Sequence, residues 1–166
     1  MICIESNGKK PVIHPAARVA ETATLVGDVV LEADCSVWYG AVLRGDMAGV
    51  RVGEGTNIQD NAVLHNARLG CRITLGHAAV ADGCVIEDDC LIGINATVLQ
   101  GSVVGRGSLV AAGAVVTENM VIPPESLVMG VPARIRGTVS PQQAAMMKED
   151  AEKYILLARE ELPTAE

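Results

Sequence analysis

The stretch from residue 92 to residue 127, IGINAT VLQGSV VGRGSL VAAGAV VTENMV IPPESL, repeats every six residues. A short fixed period constrains the architecture before any single residue is considered. Ile92, Val98, Val104, Val110, Val116 and Ile122 lead the units, and Ala96, Ser102, Ser108 and Ala114 hold a small side chain at the fifth position. Two inward positions in six, with Gly, Asn or Asp between them, predict short straight segments separated by corners rather than one ordinary strand. Three segments close one triangular coil, and stacked coils bond as parallel strands about 4.8 Å apart. Each coil buries its apolar edge only against its neighbours, so a long uninterrupted run is needed.

The same frame extends outward in both directions. It runs back through VWYGAV, LEADCS, LVGDVV and VAETAT to IHPAAR at Ile13, and it includes VGEGTN, IQDNAV, short units at LHNAR and ADGCV, and two extra residues in LRGDMAGV. The expected fold class is an all-β solenoid over residues 1–137. The repeat resembles the hexapeptide-repeat proteins, and that resemblance implies a left-handed parallel β-helix. Residues 138–166 change character. Ser140 is a helix N-cap candidate with Pro141 at the first helical position. Ala144, Met147, Ala151, Tyr154, Ile155 and Ala158 then form an apolar stripe at helical spacing, predicting a C-terminal α-helix packed on the outside of a β-helix, its own or a neighbour's.

Composition agrees with a narrow, uniform interior. Hydrophobic residues make up 49% of the 166, yet there is no Phe, one Trp and two Tyr beside 17 Gly. Small branched side chains, not aromatics, must therefore tile the core. A net charge of −7 without a Lys/Arg cluster argues against nucleic acid or an anionic membrane as partner. No apolar run approaches the roughly 20 residues that span a bilayer. The start MICIESNGKK lacks the pattern of a secretory signal. Five cysteines with no C-x-x-C pair suggest reduced thiols and a cytoplasmic setting.

Counting units also places the candidate chemistry. His65 and Asp82 are each the second residue of their unit, three units apart, so they should stack on one corner of adjacent coils. Their separation is 17 residues because LHNAR is short. His77 is a third residue, on a different wall of the prism. One face spans roughly 20 Å, so His77 can join the pair only across a subunit boundary. A closed ring, most simply a homotrimer, would then present two imidazoles and one carboxylate with an open position. That set suits zinc, with iron(II) or cobalt as alternatives. The competing reading is that both histidines are exposed loop residues and Asp82 merely occupies a corner, where Asp is common.

At these residues the chain resembles the γ-class carbonic anhydrase family and its relatives. VWYGAVLRGD (37 to 46), TNIQDNAVLH (56 to 65), LGHAAVADGC (75 to 84) and MGVPARIRG (129 to 137) match its blocks in order. The resemblance implies a homotrimer with metal sites between subunits, His65 and His77 as metal ligands, and Arg44 and Asp46 as an intersubunit ion pair beside the site. It also implies that Asn57 and Gln59 orient bound water or bicarbonate, and that Tyr154 approaches from the C-terminal helix. Two departures stand out. Asp82 occupies the third-histidine position, and no protruding loop with an acidic proton-transfer residue lies between His65 and Leu69.

A carboxylate ligand lowers the Lewis acidity of the ion and raises the pKa of its water above the roughly 7 reached with three neutral histidines. The expected activity is therefore reversible CO2 hydration, a carbonate dehydratase lyase reaction, weakened or lost. Two rival functions use the same scaffold: an acyl-CoA transferase or thioesterase, and a trimeric assembly protein without catalysis. Fold alone does not choose among them.

Overall fold

The computed structural model describes residues 1–164. The final two residues of the segment assigned above to the helix, 165 and 166, lie outside the described residues. The chain winds into a parallel β-solenoid with one C-terminal helix. The repeat explains the course of the strands. Ile92, Val98, Val104, Val110, Val116 and Ile122 all point inward and are buried, as are the fifth-position residues Ala96, Ser102, Ser108 and Ala114. Corners are turned by residues of positive φ, mostly Gly, Asn and Asp, among them Gly40, Asn61, Asn95 and Gly113. Those residue types tolerate the left-handed region at least cost.

Three faces result. The first stacks Arg18–Val19, Ser36–Val37, Asn57–Ile58, Thr74–Leu75, Leu91–Ile92, Leu109–Val110 and Ser126–Met129, and Arg134–Thr138 closes it with an antiparallel strand. The second stacks the start of Thr24–Leu31, the start of Val42–Val52, then Val63–His65, Val80–Asp82, Thr97–Val98 and Val115–Val116. The third continues from the far ends of those two long strands through Arg68–Leu69, Val85–Ile86, Val103–Val104 and Val121–Ile122.

One local expectation is corrected. Within the long strands the pairing offset rises from 18 residues at Gly27–Gly45 to 21 at Val29–Val50. The insertion in LRGDMAGV is therefore three residues, because Arg51 also falls outside the six-residue frame. It forms a protrusion with Met47 at its exposed tip.

Helix α1 spans Pro141–Glu161 and is opened by a capping box in which Ser140 and Gln143 satisfy one another's backbone N–H. It lies on the first face of its own chain. Met147, Ala151 and Ala158 are buried beneath it. Ala144, expected in the stripe, is exposed, and the half-buried Leu157 joins Tyr154 against Trp38, Ala20 and Leu162 instead. Among the described residues no helix is long and apolar enough to cross a membrane.

Candidate functional site

Strand register builds the first half of the site. Arg44 pairs with His65 and His65 with Asp82, so three side chains stack on the corner where the second face ends. His65 Nδ1 lies 2.8 Å from Asp82 Oδ1, and its Nε2 lies 3.0 Å from Asp46 Oδ1 and 2.8 Å from Asn66 Nδ2. The Asn66 side-chain Oδ1 accepts from the backbone N–H groups of Met47 at 3.2 Å and Ala48 at 2.9 Å, which ties the protrusion to this corner. The resemblance implies that Arg44 and Asp46 pair across a subunit boundary. Here they form a close ion pair within one chain, through Asp46 Oδ2, because residues two apart in a strand share a side. Burial works to raise the Asp46 carboxyl's pKa, but His65 and the Arg44 guanidinium beside it outweigh that and hold it below the usual carboxylate range.

The second half-site occupies the corner between the first and second faces. His77 follows the strand Thr74–Leu75 and precedes Ala78, which adopts φ +55°. That conformation costs a residue with a Cβ about 1–2 kcal/mol. His77 Nδ1 lies 2.8 Å from Asp60 Oδ2 on the adjacent coil. The Asp60 carboxylate stands beside this nitrogen, leaving Nε2 as the ring nitrogen that no carboxylate approaches among the described residues. Behind it runs a fixed amide chain. The His77 backbone N–H donates to Gln59 Oε1 at 3.1 Å, Gln59 Nε2 donates to Asn57 Oδ1 at 3.2 Å, and Asn57 Nδ2 donates to Thr74 Oγ1 at 2.9 Å. Asn57 is fully buried and Gln59 nearly so.

Tyr154 arrives from α1 and packs edge-on against Trp38, with ring centroids 5.5 Å apart and planes at 87°. Burial pushes its phenol pKa up, with Asp60 and Asp150 adding to the effect. Gln59, His77, Ile94, Met146, Lys153 and Tyr154 together line a cleft of about 570 Å³.

The predicted residues therefore fall into two groups: Arg44, Asp46, His65 and Asp82 at one corner, and Asn57, Gln59, His77 and Tyr154 at the other. Asp82 follows His77 by five residues across the second face, a path of at most roughly 16 Å. Among the described residues no group of three His, Cys, Asp or Glu side chains is arranged to hold a metal ion within the chain. Asp60 and Asn66 escaped the sequence reading. The step from Asp60 to His77 is 77 − 60 = 17 residues, the same as from His65 to Asp82, so the unit count contained the signal. The donor chemistry fits a divalent ion: an imidazole at each corner and carboxylates beside both are first-row metal ligands.

Residues 83–118 match the family model described as bacterial transferase hexapeptide (six repeats). The chain is 41% identical over 162 residues to "Gamma carbonic anhydrase 1, mitochondrial" of Arabidopsis thaliana, covering 91% of this chain and 59% of that one. It thus spans about three-fifths of the length of that plant relative. It is 46% identical over 151 residues to "Probable carbonic anhydrase" of Methanocaldococcus jannaschii, covering 88% of this chain and 95% of that protein. Among solved structures, a hexapeptide transferase family protein from Anaplasma phagocytophilum superposes with a TM-score of 0.95 at 33% identity, covering 97% of this chain and 98% of that one.

Proposed function

The chain belongs to the γ-class carbonic anhydrase-like family of hexapeptide-repeat proteins, and from that membership we propose that it is a metalloprotein catalysing reversible CO2 hydration between the subunits of a homotrimer. The observation that carries this reading is the placement of the two half-sites on the two edges of the same face. The outward positions of that face include Val42, Val63, Val80 and Val115, all half-buried in the single chain. An apolar ladder between two polar edges is suited to facing a threefold axis, where each His77 edge meets the His65 edge of the next protomer.

His65 and the carboxylate corner of one protomer, with Asp82 in the third-histidine position, and His77 of the next would hold the ion. Zinc suits this set best, with iron(II) or cobalt as alternatives. Such an ion supplies a Lewis acid that lowers the pKa of water. The chain's own residues do the rest. Asp60 stands beside His77 Nδ1, which leaves Nε2 to face the ion. Gln59, its amide held at both ends, offers its second N–H to a substrate oxygen, and Asn57 positions Gln59. Tyr154 walls the cleft against bulk water. Asp82 adds negative charge where three neutral ligands would leave the ion more acidic, so the proposed activity is low. The free thiols of all five cysteines suit the cytoplasm.

A second reading, an acyl-CoA transferase or thioesterase, is favoured by the transferase names of the matching family model and of the Anaplasma structure. Metal analysis of protein purified without added zinc, beside CO2 hydration and acyl-CoA hydrolysis assays, separates the two. Stoichiometric metal with hydration supports the first reading, and acyl-CoA turnover without hydration replaces it. A trimer with neither metal nor turnover would be the assembly protein.

A further inference from the structure

The corner between the third and first faces carries a charged cluster that the proposed activity does not use. Its left-handed turn positions fall in succession to Asp34, Gly55, Arg72, Asp89, Gly107 and Glu125. Glycine and aspartate adopt that conformation more readily than arginine, so Arg72 at φ +54° holds a guanidinium at a turn where a smaller residue would be less strained. Asp89 stacks on it one coil further along and Arg106 one coil beyond that, each 17 residues on. Arg72 Nε donates to Asp89 Oδ1 at 2.6 Å, while Arg106 Nε and Nη2 reach Oδ2 at 3.0 and 2.9 Å. One carboxylate thus serves two guanidiniums and leaves one positive charge over.

Helix α1 adds a second. Lys148 lines the same cavity, and Glu152, one turn along the helix, stands 3.8 Å from its Nζ, too far for a hydrogen bond. Arg72, Arg106 and Lys148 against Asp89 leave the cavity a charge of +2, on a chain whose net charge is −7. Among the described residues, both terminal nitrogens of Arg72 and Nη1 of Arg106 donate no hydrogen bond, and all three cationic side chains are open to solvent. The cavity measures about 380 Å³, the size of a small-molecule site, and its α1 wall is apolar: Ala144, Met147 and Ala151. We propose that this cavity binds a phosphate monoester with a small apolar substituent, its phosphate oxygens held by Arg72, Arg106 and Lys148 and its substituent lying against Ala144, Met147 and Ala151. A phosphate monoester carries close to two negative charges at neutral pH, and guanidinium forks match its paired oxygens. A carboxylate would leave one charge unmatched, and inorganic phosphate would leave the apolar wall uncovered. The corner lies opposite the second face, so the proposed trimer leaves it open and the site does not depend on the metal-site reading.

The test is calorimetric titration of the full-length protein with phenyl phosphate, inorganic phosphate and benzoate at neutral pH and low salt. Phenyl phosphate should bind more tightly than either of the others. Lys148→Gln should weaken it about tenfold, the worth of one charge-assisted hydrogen bond, and Lys148→Arg should restore it. Lys148 is exposed on α1 and glutamine is a good helix former, so the variant keeps the fold. Three results overturn the assignment: no binding of phenyl phosphate, equal or tighter binding of inorganic phosphate or benzoate, or an affinity for phenyl phosphate that Lys148→Gln leaves unchanged. The last would place the phosphate elsewhere on the protein, and none of the three bears on metal content or CO2 hydration, so the two readings fail separately.

Discussion

His77 and Asp60 meet across adjacent coils with Nδ1 and Oδ2 2.8 Å apart, repeating at one edge of the second face the 17-residue step that joins His65 to Asp82 at the other. Each edge thus carries an imidazole whose Nδ1 lies 2.8 Å from a carboxylate one coil away. The shared step follows from the solenoid: residues one winding apart in adjacent coils are neighbours.

Asp82→His should raise CO2 hydration by about one to two orders of magnitude, because it removes a carboxylate from the His65 corner and supplies a third neutral imidazole, lowering the pKa of the activated water. Stopped-flow hydration assays on metal-loaded protein check this. A rate that stays at the wild-type level would count against a water-activating site between these edges.

Acid should loosen the N-terminal coils first. Lys9 lies 2.7 Å and Arg51 2.9 Å from the Asp28 carboxylate. The hydrogen bond from Arg51, then that from Lys9, holds its pKa down at about 2. A carboxyl depressed below its unfolded value of about 3.9 stabilises the fold above that value, and the contribution is lost as pH falls towards 2. Asp28→Asn should therefore be less stable than wild type at pH 7, with the difference shrinking between about pH 4 and pH 2 in urea titrations.

Thiol reagents should distinguish the five cysteines. Burial pushes Cys35, Cys84 and Cys90 up to about 12, so they are neither accessible nor ionised at pH 8. Cys3 is exposed and Cys71 half-exposed. Labelling of native protein should modify Cys3 and Cys71, with the other three reacting only after denaturation. Rapid native labelling of Cys84 would mean that the prism opens locally.

The prism should not tolerate volume at its fifth positions. Ala62, Ala79 and Ala96 are fully buried and follow one another on successive coils. Ala79→Leu should cost about 1–3 kcal/mol by overpacking, read as a lower urea midpoint. An unchanged midpoint would show slack in the interior.

Tyr154→Ala should release α1 from the first face. It removes the ring packed on Trp38, at a cost of about 1–3 kcal/mol, while Tyr154→Phe keeps the ring and should be nearly neutral. Trp38 is the chain's one tryptophan, so its emission should shift to the red in the alanine variant alone.

The six-residue frame made most of the solenoid legible. Aliphatic leaders and small fifth positions are local properties, and each coil contacts only its neighbours, so counting along the chain was enough to stack Asp82 beside His65 and to separate His77 from them. It put His77 on a different wall, whereas the turn at His77 and Ala78 places it at the opposite edge of the same face. Ser140 and Pro141 likewise announced the start of α1 through capping chemistry confined to one turn. The count slipped at the protrusion, where Arg51 falls outside the frame and the extra length became visible only in the pairing with Val30.

What the sequence by itself determined, then, was periodicity: winding, register and which residues share a corner, because these depend on backbone preferences repeated every few residues. Only the tertiary structure decided that α1 lies on its own first face with Tyr154 against Trp38, and that Asp46 and Asp82 take opposite nitrogens of His65. Both depend on how individual side chains turn towards partners from other coils or from α1, and no one-dimensional repeat encodes that orientation.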